Sequence, residues 1–207
     1  MRISVGSSVQ GVLPGFSDPV RDSQQAFRTV LDAVALPGSI HMVAVMGPMP
    51  PPLNPATTTL CLALADYETP IFLDAEARTT DVKDFLRFHT GALIADETRD
   101  ATFAVITGKP PPLDQFKLGS NEFPEEGATL LIQVEALSDE GSLALSGPGI
   151  ETESRLGVSG LHADFWDLRA GIVKEFPRGV DLIFTSGRQI AALPRTTTVS
   201  YRAATVR

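Results

Sequence analysis

One cysteine, Cys61, is all the thiol chemistry in this 207-residue chain, and a single thiol makes neither an internal disulfide nor a thiolate metal cage. It lies inside the apolar run Leu60-Cys61-Leu62-Ala63-Leu64-Ala65, where a thiol serves as small packing material. Long apolar runs are lacking as well. Nothing approaches the roughly 20 apolar residues that a spanning helix needs, and Met1 to Gln10 carries one arginine but no sustained apolar segment. The expectation is a cytoplasmic protein with no membrane partner.

Positive charge is scarce. The formal net charge is −8 and the pI is near 4.8, and no Lys/Arg run offers a local exception, so a nucleic-acid partner is not expected. Lysine is the rarer base: Lys83, Lys109, Lys117 and Lys174 stand against 13 arginines. Planar guanidinium forks suit carboxylate and phosphate clamping, whereas Schiff-base chemistry requires lysine.

Catalytic signatures are lacking too. His41, His89 and His162 are far apart and form no H-x-x-x-H array, and the chain has no G-x-S-x-G elbow, no Walker motif and no G-x-G-x-x-G turn. The sequence therefore singles out no catalytic residue, no cofactor-binding residue and no metal ligand, and leaves a zinc site only to tertiary convergence of distant residues. Ser146-Gly147-Pro148-Gly149 could form an anion nest, but its proline removes a donor, and a plain turn is the preferred reading.

What is present is a 43% hydrophobic composition over a length that favours one core. Residues 1–13 read as an N-terminal extension and 14–207 as a single domain. Asp18-Pro19, followed by Val20, Phe27, Val30, Leu31 and Val34, predicts a helix over 19–36. A strand over 40–46, a stiff proline loop and a buried helix over 55–66 begun by Asn54-Pro55 come next. Ile71–Leu73 is a short strand, and Thr80 caps a helix carrying Val82, Phe85, Leu86 and His89. Strands are expected over 92–94, 102–106, 130–134 and 142–145, the last two as a hairpin about Asp139-Glu140-Gly141. Leu161, Phe165, Leu168 and Ile172 predict an amphipathic helix over 161–175. Strands over 180–185 and 189–193, joined at Ser186-Gly187, and over 197–201 close the chain. The fold class is α/β, a sheet of mixed direction flanked by helices.

Several residues are candidate anion or partner contacts. Arg87 and His89 sit in Leu86-Arg87-Phe88-His89-Thr90, where His89 reads alternatively as a helix C-terminal cap. Arg195, Thr196 and Thr197 place a guanidinium beside hydroxyls, which could grip a phosphate or phosphonate oxygen; β-propensity alone also accounts for the threonines. Asp181 enters a strand and needs a cationic partner, Arg178 or Arg195, so an internal ion pair explains it as well as catalysis does.

Taken together, Asp22-Ser23-Gln24-Gln25-Ala26-Phe27-Arg28, Asn54-Pro55-Ala56-Thr57-Thr58, Leu86 to Thr90, Gly127-Ala128-Thr129-Leu130, Phe176-Pro177-Arg178-Gly179-Val180-Asp181-Leu182 and Pro194-Arg195-Thr196-Thr197 resemble the PhnH family, a component of the phosphonate carbon–phosphorus lyase system. The ensemble is specific where each piece is weak, and it runs from about residue 14 to 200. Correspondence is least before residue 14 and over 107–126.

The resemblance implies a fold like the large domain of pyridoxal-phosphate (PLP)-dependent transferases but without PLP, a homodimer in isolation, and partnership with subunits G, I and J of the complex. That complex prepares ribose 1-phosphonate 5-triphosphate before C–P cleavage. It implies a non-catalytic subunit of a transferase and lyase machinery, and it carries over no catalytic residue. The alternative is an enzyme or regulator that binds a phosphorylated small molecule or phosphonate through Arg87, His89, Arg178 and Arg195. A third reading, PLP held on Lys174 or Lys83, lacks an acidic partner for the ring nitrogen in either context.

Overall fold

The structure is a computed structural model that describes residues 11–44 and 48–201. Among the described residues four α-helices are begun by side-chain caps that the local sequence supplies. Asp18 accepts from the Arg21 N–H ahead of α1 (Pro19–Ala35), Asn54 from the Thr57 N–H ahead of α2 (Pro55–Leu64), Thr79 from the Val82 N–H ahead of α3 (Thr80–Thr90), and His162, through Nδ1, from the Asp164 N–H ahead of α4 (Ala163–Val173). Each side-chain acceptor satisfies an amide that has no partner within the helix. The cap of α3 is thus Thr79 and not Thr80. The far end of α3 is closed by Gly91 in the left-handed region at φ +73°, its N–H bonded to the Arg87 carbonyl. That leaves His89 free of the capping role.

Among the described residues, seven strands form the main sheet: β1 (His41–Met42), β2 (Ile71–Leu73), β3 (Ile94–Ala95), β4 (Phe103–Ile106), β5 (Thr129–Gln133), β8 (Asp181–Ser186) and β9 (Gln189–Leu193). Their order is β1-β9-β8-β5-β4-β2-β3. Strands β3, β2, β4, β5 and β8 run parallel. β9 returns antiparallel to β8 after Gly187, and β1 pairs antiparallel with β9. A second, antiparallel sheet is made of β6 (Ala136–Ser146), β7 (Ser154–Ser159) and β10 (Thr198–Tyr201), in the order β10-β6-β7.

Strands covered on both faces read as continuous apolar runs, and alternate residues of those runs enter different cores. Leu131 and Ile183 join Val30, Leu60, Cys61, Phe85 and Leu86 beneath α1, α2 and α3. Leu130, Ile132, Leu182 and Phe184 join Leu143, Leu145, Leu156, Phe165 and Trp166 under the second sheet and α4 (Ala163–Val173). Helices, main sheet, and second sheet with α4 are therefore three layers around two cores.

Several expectations are corrected. The hairpin expected between 130–134 and 142–145 does not form, because β5 is held by parallel neighbours β4 and β8 and β6 crosses into the second sheet. Asp139-Glu140-Gly141 is not a turn: β6 continues through it with a register shift between Ser138 and Leu143, and a Cβ at Gly141 would collide with the Gly157 nitrogen across the ladder. β7 went unpredicted. The strand expected over 40–46 is limited to His41–Met42, with residues 45–47 outside the described residues, and that over 92–94 forms at Ile94–Ala95. Segment 107–126 holds two short 3-10 turns and sends Leu113 and Phe116 into the second core.

Helix faces also differ from their periodicity. In α1 the small residues Ala26 and Ala33 are buried with Val30, while Val20, Phe27, Leu31 and Val34 are 81, 46, 50 and 40% exposed. In α4 the buried set is Phe165, Trp166 and Arg169, and Leu168 is 50% exposed. Both helices are rotated from the orientation that hydrophobicity alone would choose.

Candidate functional site

Parallel strands deliver their carboxyl ends to one edge of a sheet, where loops diverge and leave a crevice. Here the exits of β2, β4, β5 and β8 open on a cleft of about 930 Å³. Its size falls in the range of ligand pockets. One wall is apolar, with Pro110, Pro111 and Pro112 facing Leu161, Phe165 and Leu168; Glu76, Lys109, Glu135 and Asp164 supply the charges, and His162 lies beside Asp164.

The base of the cleft is held by side chains at the strand ends. Asp74, buried directly after β2, accepts from the N–H groups of Ala77 at 2.8 Å, Thr107 at 2.7 Å and Gly108 at 2.8 Å, and from the Thr107 hydroxyl at 3.1 Å. It ties the exits of β2 and β4 together. Gln133, ending β5, accepts from the Asn54 N–H at 2.5 Å and donates to the Pro52 carbonyl at 3.1 Å. The Asn54 amide donates in turn to the Thr185 hydroxyl at 3.2 Å, and that hydroxyl lies 2.8 Å from the Thr57 hydroxyl. The amino end of α2 is thereby fixed to β5 and β8.

The residues singled out from the sequence lie elsewhere. Asp181 and Arg195 meet at the start of β8, about 17 Å along the strand from the cleft at ~3.3 Å per residue. Arg195 donates from its backbone N–H to Asp181 Oδ1 at 2.7 Å and from Nη2 to Oδ2 at 2.5 Å, with Nε 3.2 and 3.1 Å from the two oxygens. Its Nη1 donates to the Pro124 carbonyl. Of the two partners considered for Asp181, Arg195 is the one; Arg178 pairs with Glu175. The internal ion pair is what the geometry shows.

Thr197 is fully buried beside this pair, its carbonyl accepting from Arg169 Nη1 at 2.9 Å and its hydroxyl without a hydrogen-bond partner among the described residues. Thr196 is half-buried in the same turn. Arg87 is exposed on α3. His89 bonds through Nε2 to the Leu13 carbonyl at 2.7 Å and packs against the rings of Phe85 and Phe88, so it fastens residues 11–16 to α3. The structure brings Asp181, Arg195 and Thr197 together and leaves Arg87 and His89 apart from them. Neither Lys83 nor Lys174 lines the cleft, whereas Lys109 does.

Sequence reasoning missed Arg169. Arg169 is 3% exposed, and its guanidinium donates to the carbonyls of Thr197 at 2.9 Å and Pro194 at 3.0 Å. Burial pulls its pKa down to about 10, opposed by the charge of Asp181. The signal was available, since Arg169 follows Phe165 by four residues and precedes Ile172 by three, which puts a cation on the apolar face. Asp74 was also missed, although a carboxylate directly after the strand Ile71-Phe72-Leu73 was legible.

Residues 14–200 match the family model of the bacterial phosphonate metabolism protein PhnH. The chain is 36% identical over 184 residues to the α-D-ribose 1-methylphosphonate 5-triphosphate synthase subunit PhnH of Rhizobium meliloti, covering 88% of this chain and 92% of that one. It is 32% identical over 181 residues, 87% of each chain, to HtxG of Stutzerimonas stutzeri, whose name ties it to the C–P lyase.

Proposed function

The chain belongs to the PhnH family of bacterial phosphonate metabolism proteins, and from that premise we propose that it is a non-catalytic subunit of the carbon–phosphorus lyase machinery. It serves the complex that forms ribose 1-phosphonate 5-triphosphate on the way to C–P bond cleavage. The homodimeric state in isolation, partnership with subunits G, I and J, a cytoplasmic location, and a fold like the large domain of PLP-dependent transferases without PLP belong to the same proposal. The seven-stranded mixed sheet, with α1, α2 and α3 on one face, supports the last of these.

The structural observation that carries the subunit reading is the apolar stripe of α1. Val20, Phe27, Leu31 and Val34 recur along one side of a three-layer protein that buries its smaller neighbours instead. Contiguous exposed apolar surface of this kind marks interaction sites. It continues into a small apolar hollow of about 260 Å³ between Val34, Leu64, Phe103 and Ile183.

The test is co-expression with the other gene products of the phosphonate system. The wild-type protein is expected to co-purify with them and to restore growth on methylphosphonate as phosphorus source in a strain lacking it. Phe27→Asp combined with Leu31→Asp is expected to abolish both while the isolated protein keeps its circular dichroism and melting transition. Turnover of a phosphonate or nucleotide by the purified chain alone would refute the proposal. The alternative, a binder of phosphorylated small molecules, requires calorimetric binding of ribose phosphates or alkylphosphonates that Arg195→Ala removes. Arg195 already being engaged by Asp181 and the Pro124 carbonyl argues against it.

A further inference from the structure

We propose that the cleft at the carboxyl ends of β2, β4, β5 and β8 is a socket for a basic segment of a companion polypeptide, with an arginine or lysine side chain between Glu76 and Glu135. The inference rests on the subunit reading and adds to it the chemistry of one partner contact.

The argument is a census of donors and acceptors. The donors at the strand ends are already engaged, the Asn54 amide with Thr185, the Gln133 amide with Pro52, the Thr107 hydroxyl and Gly108 N–H with Asp74, and the Ser186 hydroxyl with the Glu135 carbonyl, which among the described residues leaves Lys109 as the free side-chain cation on the lining against Glu76 and Glu135. Pro110, Pro111 and Pro112 have no N–H and present ring faces, the Pro112 carbonyl already accepting from the Gln115 N–H. Acceptors remain open. Glu76 and Glu135 are exposed and have no ion-pair partner among the described residues, whereas Asp164 lies 3.2 Å from His162. The carboxyl of Glu76 rests on Gly108, where a Cβ would come within 2.6 Å of Oε1, and the Glu135 side chain rests on Gly160, where a Cβ would come within 2.9 Å of Cγ. Lys109 is the one lysine on the lining.

A cleft rich in acceptors and net acidic repels a phosphate and favours a donor-rich cation. The stem of a lysine or arginine side chain and its apolar neighbours fit the wall of Pro111, Phe165 and Leu168, since such side chains bury their methylenes while the head stays polar. A volume of about 930 Å³ at the upper end of small-ligand pockets accommodates several residues of an extended segment. The chain's own net charge of −8 steers a basic partner in the same direction.

The experiment uses the full chain co-expressed with its phosphonate-system companions, comparing wild type with Glu76→Lys/Glu135→Lys and Glu76→Gln/Glu135→Gln. Both positions are exposed, so the variants are expected to melt as the wild type does. Affinity for the companions should fall about tenfold or more for the lysine pair, and less for the glutamine pair, with a weaker salt dependence in both. Hydrogen exchange at residues 107–109 and 160–168 should slow on assembly. Equal assembly by all three proteins, or cleft amides that stay unprotected in the complex, would overturn the socket while leaving the subunit reading intact. Cleft protection that instead grows with concentration of the isolated chain would assign the site to a second copy and overturn it too. Failure of the wild type to assemble at all removes both.

Discussion

Arg195 holds three stretches of chain at once: its own turn, the start of β8 through Asp181, and the 124–126 turn through the Pro124 carbonyl. Side-chain exposure of 13% for Arg195 and 30% for Asp181 makes this pair more than a surface salt bridge but less than a desolvated one. Arg195→Ala is expected to lower unfolding stability by about 2 kcal/mol, measured by urea denaturation, because it strands a half-buried carboxylate. Arg169→Ala is expected to cost about 3 kcal/mol, since the buried Thr197 carbonyl and the half-buried Pro194 carbonyl lose their donor and a cavity opens. Cys61 titrates in the opposite sense from a reactive thiol: burial pushes its pKa up from 9.0 to about 12. Between those values the unfolded thiol ionises and the folded one does not, so its stabilising contribution, whole below pH 9, is lost as pH rises toward 12. Stability of the wild type should therefore fall with pH across that window more steeply than that of Cys61→Ala, by up to about 1.4 kcal/mol per pH unit.

At the scale of elements, α2 is the keystone of the main sheet. Thr57, Thr58 and Thr59 are buried on it, and its cap residue bonds both within the helix and across to Thr185 and Gln133. Asn54→Ala loses a cap and a tertiary anchor together and is expected to cost about 2 kcal/mol, more than the ~1 kcal/mol typical of a cap alone; Asn54→Asp, which retains the cap oxygen but loses the amide donor, should fall between the two in chemical denaturation. The rotation of α1 and α4 away from their hydrophobic stripes has the same kind of origin. Alanines at 26 and 33 let α1 lie close to its neighbours, and Arg169 is drawn inward in α4 by carbonyls at the Pro194–Thr197 turn.

Across the whole molecule the two sheets share one core but not one connectivity. β5 and β8 lie at the centre of the main sheet with partners on both sides, whereas β7 and β10 are edges. Native-state hydrogen exchange is expected to show the slowest amides at 130–132 and 182–184, and earlier, collective opening of β6, β7 and β10. Uniform protection of both sheets would contradict that order.

What the sequence determined by itself is local. Asp18-Pro19, Asn54-Pro55 and the apolar runs at 71–73, 103–106, 130–132 and 182–184 set helix starts and buried strands, because caps, proline and two-sided burial act within a few residues. The family resemblance was legible for a similar reason, as an ordered set of short segments. The tertiary structure alone decided which strands share a sheet, so that β6 left its neighbour β5, and which face of α1 stays bare. It also paired Asp181 with Arg195 across 14 residues and assembled the cleft from loops far apart in the chain. Those outcomes turn on competition between distant partners for the same hydrogen bonds and core space, and no local pattern carries that comparison.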